Sequence, residues 1–289
     1  MACEQYIGRF APSPTGPLHL GSLTTAVASY LDARAHRGRW LLRIEDIDPP
    51  REVPGAADLI ARQLEAHGLH WDGPILYQSR RLALYEDALT RLADRGLLYP
   101  CTCSRQRLHR LGGRYDGLCR ARGALLAAAP GQPGALRVCV AAAPLIEYRD
   151  FLRGAERIDL GETGDFIVRR RDGLIAYQLA VAVDDAAQGI THVLRGADLA
   201  ESTPRQIFLL RALQRPIPSY GHAPLVCDTR GRKLSKQNRA PALRDQDASA
   251  NLFWALRWLG LEPDTGLAGA TPLELLEWGV RHWSRPGPI

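Results

Sequence analysis

The sequence predicts an α/β protein: a Rossmann-type parallel sheet with covering helices, broken by an α+β insertion and closed by a short helical C-terminal segment. Three observations carry this. Strand-like and helix-periodic runs alternate over residues 1–98 and again after residue 165. The first strand-like run empties into a Pro/Gly-rich turn that opens a helix. Between residues 99 and 165 the alternation degrades around a cysteine cluster. The expected organisation is therefore a sheet domain in two halves, 1–98 and 166–244, an insertion at 99–165 and a helical end at 245–289.

Taken in order, residues 5–10 read as a strand. From residue 22 to about 36, Leu23, Val27, Tyr30 and Leu31 recur at helical spacing, with Gly38 as a stop. Residues 40–44 form a second strand, ending at Glu45-Asp46-Ile47-Asp48. Residues 58–67 and 81–95 are helical. In the insertion, Ala- and Pro-rich residues 121–134 separate the cysteines from strands near 136–141 and 158–160. The parallel sheet is expected to resume at 166–170 and at 177–183, the latter a buried strand before Asp184-Asp185. Residues 192–195 are a further strand, 203–214 a helix, and 249–283 helical with several Trp and Leu.

Of the 289 residues, 24% are charged and 46% hydrophobic, as in ordinary soluble globular chains. No apolar run approaches the roughly 18 residues of a membrane helix. The start MACEQYIGRF lacks the basic and long apolar stretches of a signal peptide, so a cytoplasmic location is expected. A net charge of +6 permits an anionic partner such as nucleic acid without requiring one. A monomer is the default expectation.

The chemistry concentrates in two segments. Arg9-Phe10-Ala11-Pro12-Ser13-Pro14-Thr15-Gly16-Pro17-Leu18-His19-Leu20-Gly21-Ser22 delivers small residues and a histidine to a helix N-terminus, where free N–H groups and the helix dipole favour phosphate. Gly16 and Gly21 permit close approach, and His19 adds a donor for charge developing on an α-phosphate. No Gly-Lys-Ser/Thr follows, so this is not a Walker A loop. After Gly231, Lys233-Leu234-Ser235-Lys236-Gln237 offers two lysines three residues apart that could close on a triphosphate. Together they suggest ATP bound while a carboxylate attacks it, hence a nucleotide-binding sheet domain.

Cys101-Thr102-Cys103, Tyr115 and Cys119 fall in a C-x-C-x11-Y-x3-C pattern. Three clustered cysteines without a secretory signal point to a metal before disulfides, and thiolates in a closed site suit structural zinc. Chemistry alone leaves the fourth ligand open between His109 and Tyr115. Cys3, Cys139 and Cys227 read as small hydrophobes.

With both segments in this order, the chain resembles the class I aminoacyl-tRNA synthetases, whose HIGH and KMSKS motifs these would be. It is most similar to their glutamate-specific branch. The stretches that carry this are residues 8–16, Arg43-Ile44-Glu45-Asp46-Ile47-Asp48, residues 189–198, Thr203-Pro204-Arg205-Gln206 and Lys233-Leu234-Ser235-Lys236. Ser22 and Gln237 depart from the last positions of the two motifs. Only about fifty residues follow Gln237, too few for a helical anticodon-binding region. In this, and in its Arg195-Gly196-Ala197-Asp198 and Lys236-Gln237-Asn238 forms, the chain resembles the truncated glutamyl-queuosine tRNA(Asp) synthetase family.

That resemblance implies tRNA-independent activation of L-glutamate with ATP and Mg2+, then transfer to queuosine at the wobble position of tRNA(Asp). It implies that Arg9, Phe10, Ala11, Pro12, Ser13, Glu45, Tyr177 and Arg195 contact glutamate, and that His19, Gly21 and Lys236 contact ATP, with His19, Lys233 and Lys236 catalytic. It implies Tyr115 as the fourth zinc ligand beside Cys101, Cys103 and Cys119. The competing readings are a short glutamyl-tRNA synthetase charging a tRNA 3′ end and a non-catalytic tRNA-binding paralogue.

Overall fold

The computed structural model describes residues 5–112, 115–121, 135–140, 145–227 and 241–285. Lys233, Lys236 and Gln237 lie outside the described residues.

In chain order come β1 (Ile7–Phe10), α1 (Leu20–Ala35), β2 (Arg39–Ile44), α2 (Ala56–Ala66), β3 (Leu76–Tyr77) and α3 (Leu82–Asp94). Next are β4 (Leu98–Cys101), α4 (Arg105–Arg110), α5 (Leu118–Ala121), β5 (Ala135–Val138), β6 (Ile146–Asp150), β7 (Gly154–Ile158), α6 (Leu160–Thr163) and β8 (Phe166–Arg169). The rest is α7 (Tyr177–Ala187), β9 (His192–Gly196), α8 (Thr203–Ala212), β10 (Ser219–Ala223), α9 (Ala248–Trp258) and α10 (Pro272–His282).

β1 pairs in parallel with β2, and β2 with β3. β9 pairs in parallel with β10, and β10 with β6. The two groups meet where Thr191 N–H donates to Ile7 O at 2.9 Å and Ile7 N–H to Thr191 Oγ1 at 2.8 Å. β1 connects outward to β2, while β9 connects outward to β10 on the other side. The strand order therefore reverses between β1 and β9, and a crevice opens at their carboxyl ends.

Apolar faces of helices cover both sides. Leu23, Val27 and Leu31 of α1 share one core with Ile60 and Leu64 of α2 and Leu252, Leu256, Leu275 and Leu276 of α9 and α10. Tyr85, Leu89 and Leu92 of α3 share the other with Leu179 of α7 and Ile207 and Leu210 of α8. The residues after α10 are fastened to α1 through Trp283 and Arg285: fully buried Asp32 accepts from Tyr6 Oη at 2.5 Å, Trp283 Nε1 at 2.9 Å and Arg285 Nε at 3.0 Å. No helix among the described residues is long and apolar enough to cross a membrane.

Several expectations need correction. Residues 177–183, expected as a strand, are the first two turns of α7. A short apolar run has no deciding period, and this one is apolar all round because Leu179, Ala180, Val181 and Ala182 are all buried. Phe166–Arg169 is a strand, but it pairs antiparallel with β5, which also pairs antiparallel with β4. The strand expected at 158–160 lies earlier, over Gly154–Ile158, because Asp159 caps the following helix by accepting from Gly161 N–H at 2.7 Å. β6, absent from the sequence reading, leaves the stretch 99–165 and joins β10 of the parallel sheet.

Candidate active site

At the carboxyl ends of β1 and β9 lies a cavity of about 610 Å³. Arg9, Phe10, Ala11, Pro12 and Ser13 line it from the end of β1, His19 and Gly21 from the start of α1, Glu45 from the end of β2, Tyr177 from the first residue of α7, and Arg195 from β9. Every glutamate and ATP position expected from the sequence that falls among the described residues thus lines one space. Arg51 and Asp198 line it as well.

The turn into α1 is held from within. Glu45 N–H donates to Pro12 O at 3.0 Å, tying the loop to the end of β2. Gly16 adopts φ +127°, a conformation residues with a Cβ rarely reach. His19 caps α1: its Nδ1 accepts from Ser22 N–H at 3.2 Å, and Ser22 Oγ accepts from His19 N–H at 2.9 Å. The serine that departs from the motif closes a capping box. Because Nδ1 is an acceptor, the neutral ring carries its proton on Nε2.

The charges are buried and interlocked. Asp185 in the last turn of α7 accepts from Arg9 Nε at 3.1 Å and Nη2 at 3.2 Å, and from Arg43 Nη1 at 2.7 Å. A carboxylate at a helix C-terminus opposes the dipole, and here two guanidiniums offset it. Burial alone would raise the Asp185 pKa, but Arg9 and Arg43 hold it at about 2. Arg9 spends Nε and Nη2 on this pair and lines the cavity. Its neighbour Asp184 turns elsewhere, to Gln78, Arg81 and Tyr85.

Glu45 differs. Burial pushes its pKa up, and Arg43 and Arg9 do not fully offset this. Among the described residues its carboxylate has one long hydrogen bond, from Arg43 Nη2 at 3.5 Å. A buried, under-compensated carboxylate on a cavity wall suits a cation. Arg195 is its counterpart. The residue is 3% exposed, and its buried Nη1 has no hydrogen-bond partner among the described residues. An orphaned buried donor of this kind costs about 1–3 kcal/mol, which a carboxylate ligand would offset.

The cysteines form a second centre. The Sγ atoms of Cys101, Cys103 and Cys119 lie within 4.8 Å of one another, and those of Cys103 and Cys119 are 3.5 Å apart. Tyr115 Oη accepts from Cys119 N–H at 2.7 Å, whereas His109 sits exposed on α4 outside the group. Burial raises the Cys103 pKa to about 11. Burial would do the same to Cys119, but hydrogen bonds from Tyr115 and Thr102 N–H hold it at about 6. Sharing of protons among crowded thiols is what a divalent cation relieves. The Arg137 guanidinium over the Tyr115 ring, 4.1 Å from its centroid, ties the cluster to β5.

The model of class I tRNA synthetases (E and Q), catalytic domain, matches residues 7–251. A protein of Ectopseudomonas mendocina (strain ymp) named glutamyl-Q tRNA(Asp) synthetase is 53% identical over 281 residues, covering 96% of this chain and 93% of its own length. One of the same name from Pectobacterium atrosepticum is 52% identical over 284 residues, covering 97% of this chain and 86% of its own. The chain belongs to the glutamyl-Q tRNA(Asp) synthetase family. It is a class I aminoacyl-tRNA synthetase-like ligase by that membership. In fold it is similar to the glutamate-tRNA synthetase of Elizabethkingia anophelis, with a TM-score of 0.81 at 24% identity, over 99% of this chain and 67% of that one.

In this member of the family, Asp185 and Arg43 behind Arg9, and His222 and Asp150 behind Arg195, hold the lining residues without having been singled out from the sequence. Arg43 and Asp185 could have been, since a charge two residues before Glu45 and an acidic pair ending an apolar run both signal buried ion pairs. Asp150 and His222 carry no local signal.

Proposed function

We propose that the protein activates L-glutamate with ATP and transfers it to queuosine of tRNA(Asp), a reading supported by its relatives' being named glutamyl-Q tRNA(Asp) synthetases. The observation that carries the amino-acid half is the pairing of Glu45 with Arg195 across one cavity. The carboxylate receives the substrate ammonium, and the guanidiniums of Arg195 and Arg9 receive a carboxylate. Phe10, Ala11, Pro12, Ser13 and Tyr177 complete the walls. A guanidinium facing the neutral amide of glutamine loses its ion pair, and polar sites of this sort discriminate by roughly 10⁴-fold.

His19 and Gly21, at the N-terminus of α1, hold the triphosphate, joined by Lys233 and Lys236 on the strength of their motif. A substrate carboxylate oxygen attacks the α-phosphorus and pyrophosphate leaves, so no base is needed. Mg2+ brought in with the nucleotide would neutralise phosphate charge. A cyclopentenediol hydroxyl of queuosine then attacks the acyl carbonyl, releasing AMP. Cys101, Cys103, Cys119 and Tyr115 fit structural zinc; bound there, the ion would hold α5 and β4 together.

Two assays test this. Glutamate should drive ATP–pyrophosphate exchange without tRNA. Glutamate should then be accepted by tRNA(Asp) carrying queuosine and not by tRNA(Asp) lacking it. Charging of unmodified tRNA(Glu), indifferent to queuosine, would overturn the assignment in favour of 3′-end aminoacylation.

A further inference from the structure

Arg195 is placed by a chain of buried groups from two other strands. Its Nε donates to His222 Nε2 at 3.1 Å, and its Nη2 to Thr203 Oγ1 at 2.8 Å and Leu199 O at 3.3 Å. The Thr203 hydroxyl in turn lies 3.0 Å from His222 Nε2. A guanidinium only donates, so Nε2 is an acceptor and His222 is neutral with its proton on Nδ1. That proton points at Asp150 Oδ2, which lies 2.5 Å from Nδ1. The other oxygen of Asp150 accepts from the backbone N–H groups of Leu152 at 2.9 Å, Arg153 at 3.0 Å and His222 at 3.3 Å. Both residues are about 1% exposed.

We infer that Asp150 and His222 are positioning residues for glutamate selection: the carboxylate fixes the Nδ1–H tautomer, and the imidazole lone pair fixes the guanidinium of Arg195, a residue that lines the cavity. This rests on the proposed reading of the cavity as a glutamate site. It also gives the stretch 145–158 a part in that site, since β6 carries Asp150 to the end of β10.

The decisive variant is Asp150→Asn, nearly isosteric. Its single oxygen stays with the three backbone donors, so its NH2 faces His222 Nδ1 and drives the ring proton to Nε2. There it meets the Arg195 Nε–H, donor against donor. His222→Leu removes the acceptor outright, and His222→Gln restores one. In glutamate-dependent ATP–pyrophosphate exchange, the asparagine and leucine variants should raise the KM for glutamate by about 10-fold or more, the scale of a lost hydrogen bond to a charged group. The KM for ATP should stay within about twofold, and the glutamine variant should recover most of the loss. Nitrogen-15 NMR should show His222 protonated at Nδ1 in the wild type and at Nε2 in the asparagine variant. Thermal melts identify any variant that fails to fold, and the NMR reading on the wild type stands regardless. A wild-type Nε2–H tautomer, or an unchanged glutamate KM in the folded asparagine variant, overturns the inference. If the wild type supports no glutamate-dependent exchange, the cavity reading falls first and takes this inference with it.

Discussion

Glu45→Gln separates binding from folding at the cavity. The substitution keeps the volume and deletes one charge. Among the described residues that charge makes only the long contact to Arg43, whose firmer bonds to Asp185 and Gln188, at 2.7 and 2.8 Å, remain. Toward the substrate it is the partner of an ammonium in a buried site, where a charge-assisted hydrogen bond is worth about 2–3 kcal/mol, or roughly 30- to 150-fold. The raised pKa sets the sign for stability. A carboxyl whose folded pKa lies above its unfolded value costs stability above the folded pKa and nothing below the unfolded one. Removing it should therefore leave the melting temperature at pH 7.5 unchanged or higher. Exchange kinetics should show kcat/KM for glutamate falling by the stated factor, with the KM for ATP unmoved. The wild type should also lose glutamate affinity as pH falls through the raised pKa, and the variant should lack that limb. A melting temperature that drops along with activity, or an unchanged glutamate KM, would refute the reasoning.

Asp185→Asn should destabilise the fold by about 3–5 kcal/mol in urea titrations at pH 7, because it strands two buried guanidiniums. Since its folded pKa is depressed to about 2, that stabilisation is present above the unfolded value near 4 and is lost only as pH falls through about 2. Ser22→Ala opens the capping box of α1 and should cost about 1 kcal/mol by thermal melt, with a larger relative effect on the KM for ATP than on that for glutamate. Elemental analysis should find about one zinc per chain, reduced in Cys101→Ser and Cys119→Ser and unaffected in Cys227→Ser.

The order of elements and most of the candidate site were legible because they rest on local chemistry. A Pro/Gly turn before a periodic run marks a strand-to-helix junction wherever it occurs, and the residues on it reach the same crevice once the sheet is parallel. What stayed hidden depends on partners distant in sequence. The stretch 177–183 has the composition of a buried segment, and only packing against α3 and α8 decides that it is a helix. β6 is legible only from its pairing with β10, some seventy residues on. The bond between Asp150 and His222 crosses the same gap, so neither residue announces a role within its own window.

The fastening of Trp283 and Arg285 to Asp32 makes α1 a lever with two loads. At 1.5 Å per residue, its first turn at the cavity and its carboxylate clamp stand about 18 Å apart on one rigid rod. Trimming the chain before Trp283 frees the far load, so the rod can tilt while its hydrogen bonds stay intact. Such a truncation should weaken ATP in equilibrium binding before circular dichroism records any loss of helix. Trp283 and Arg285 are in this sense a set-screw for the nucleotide.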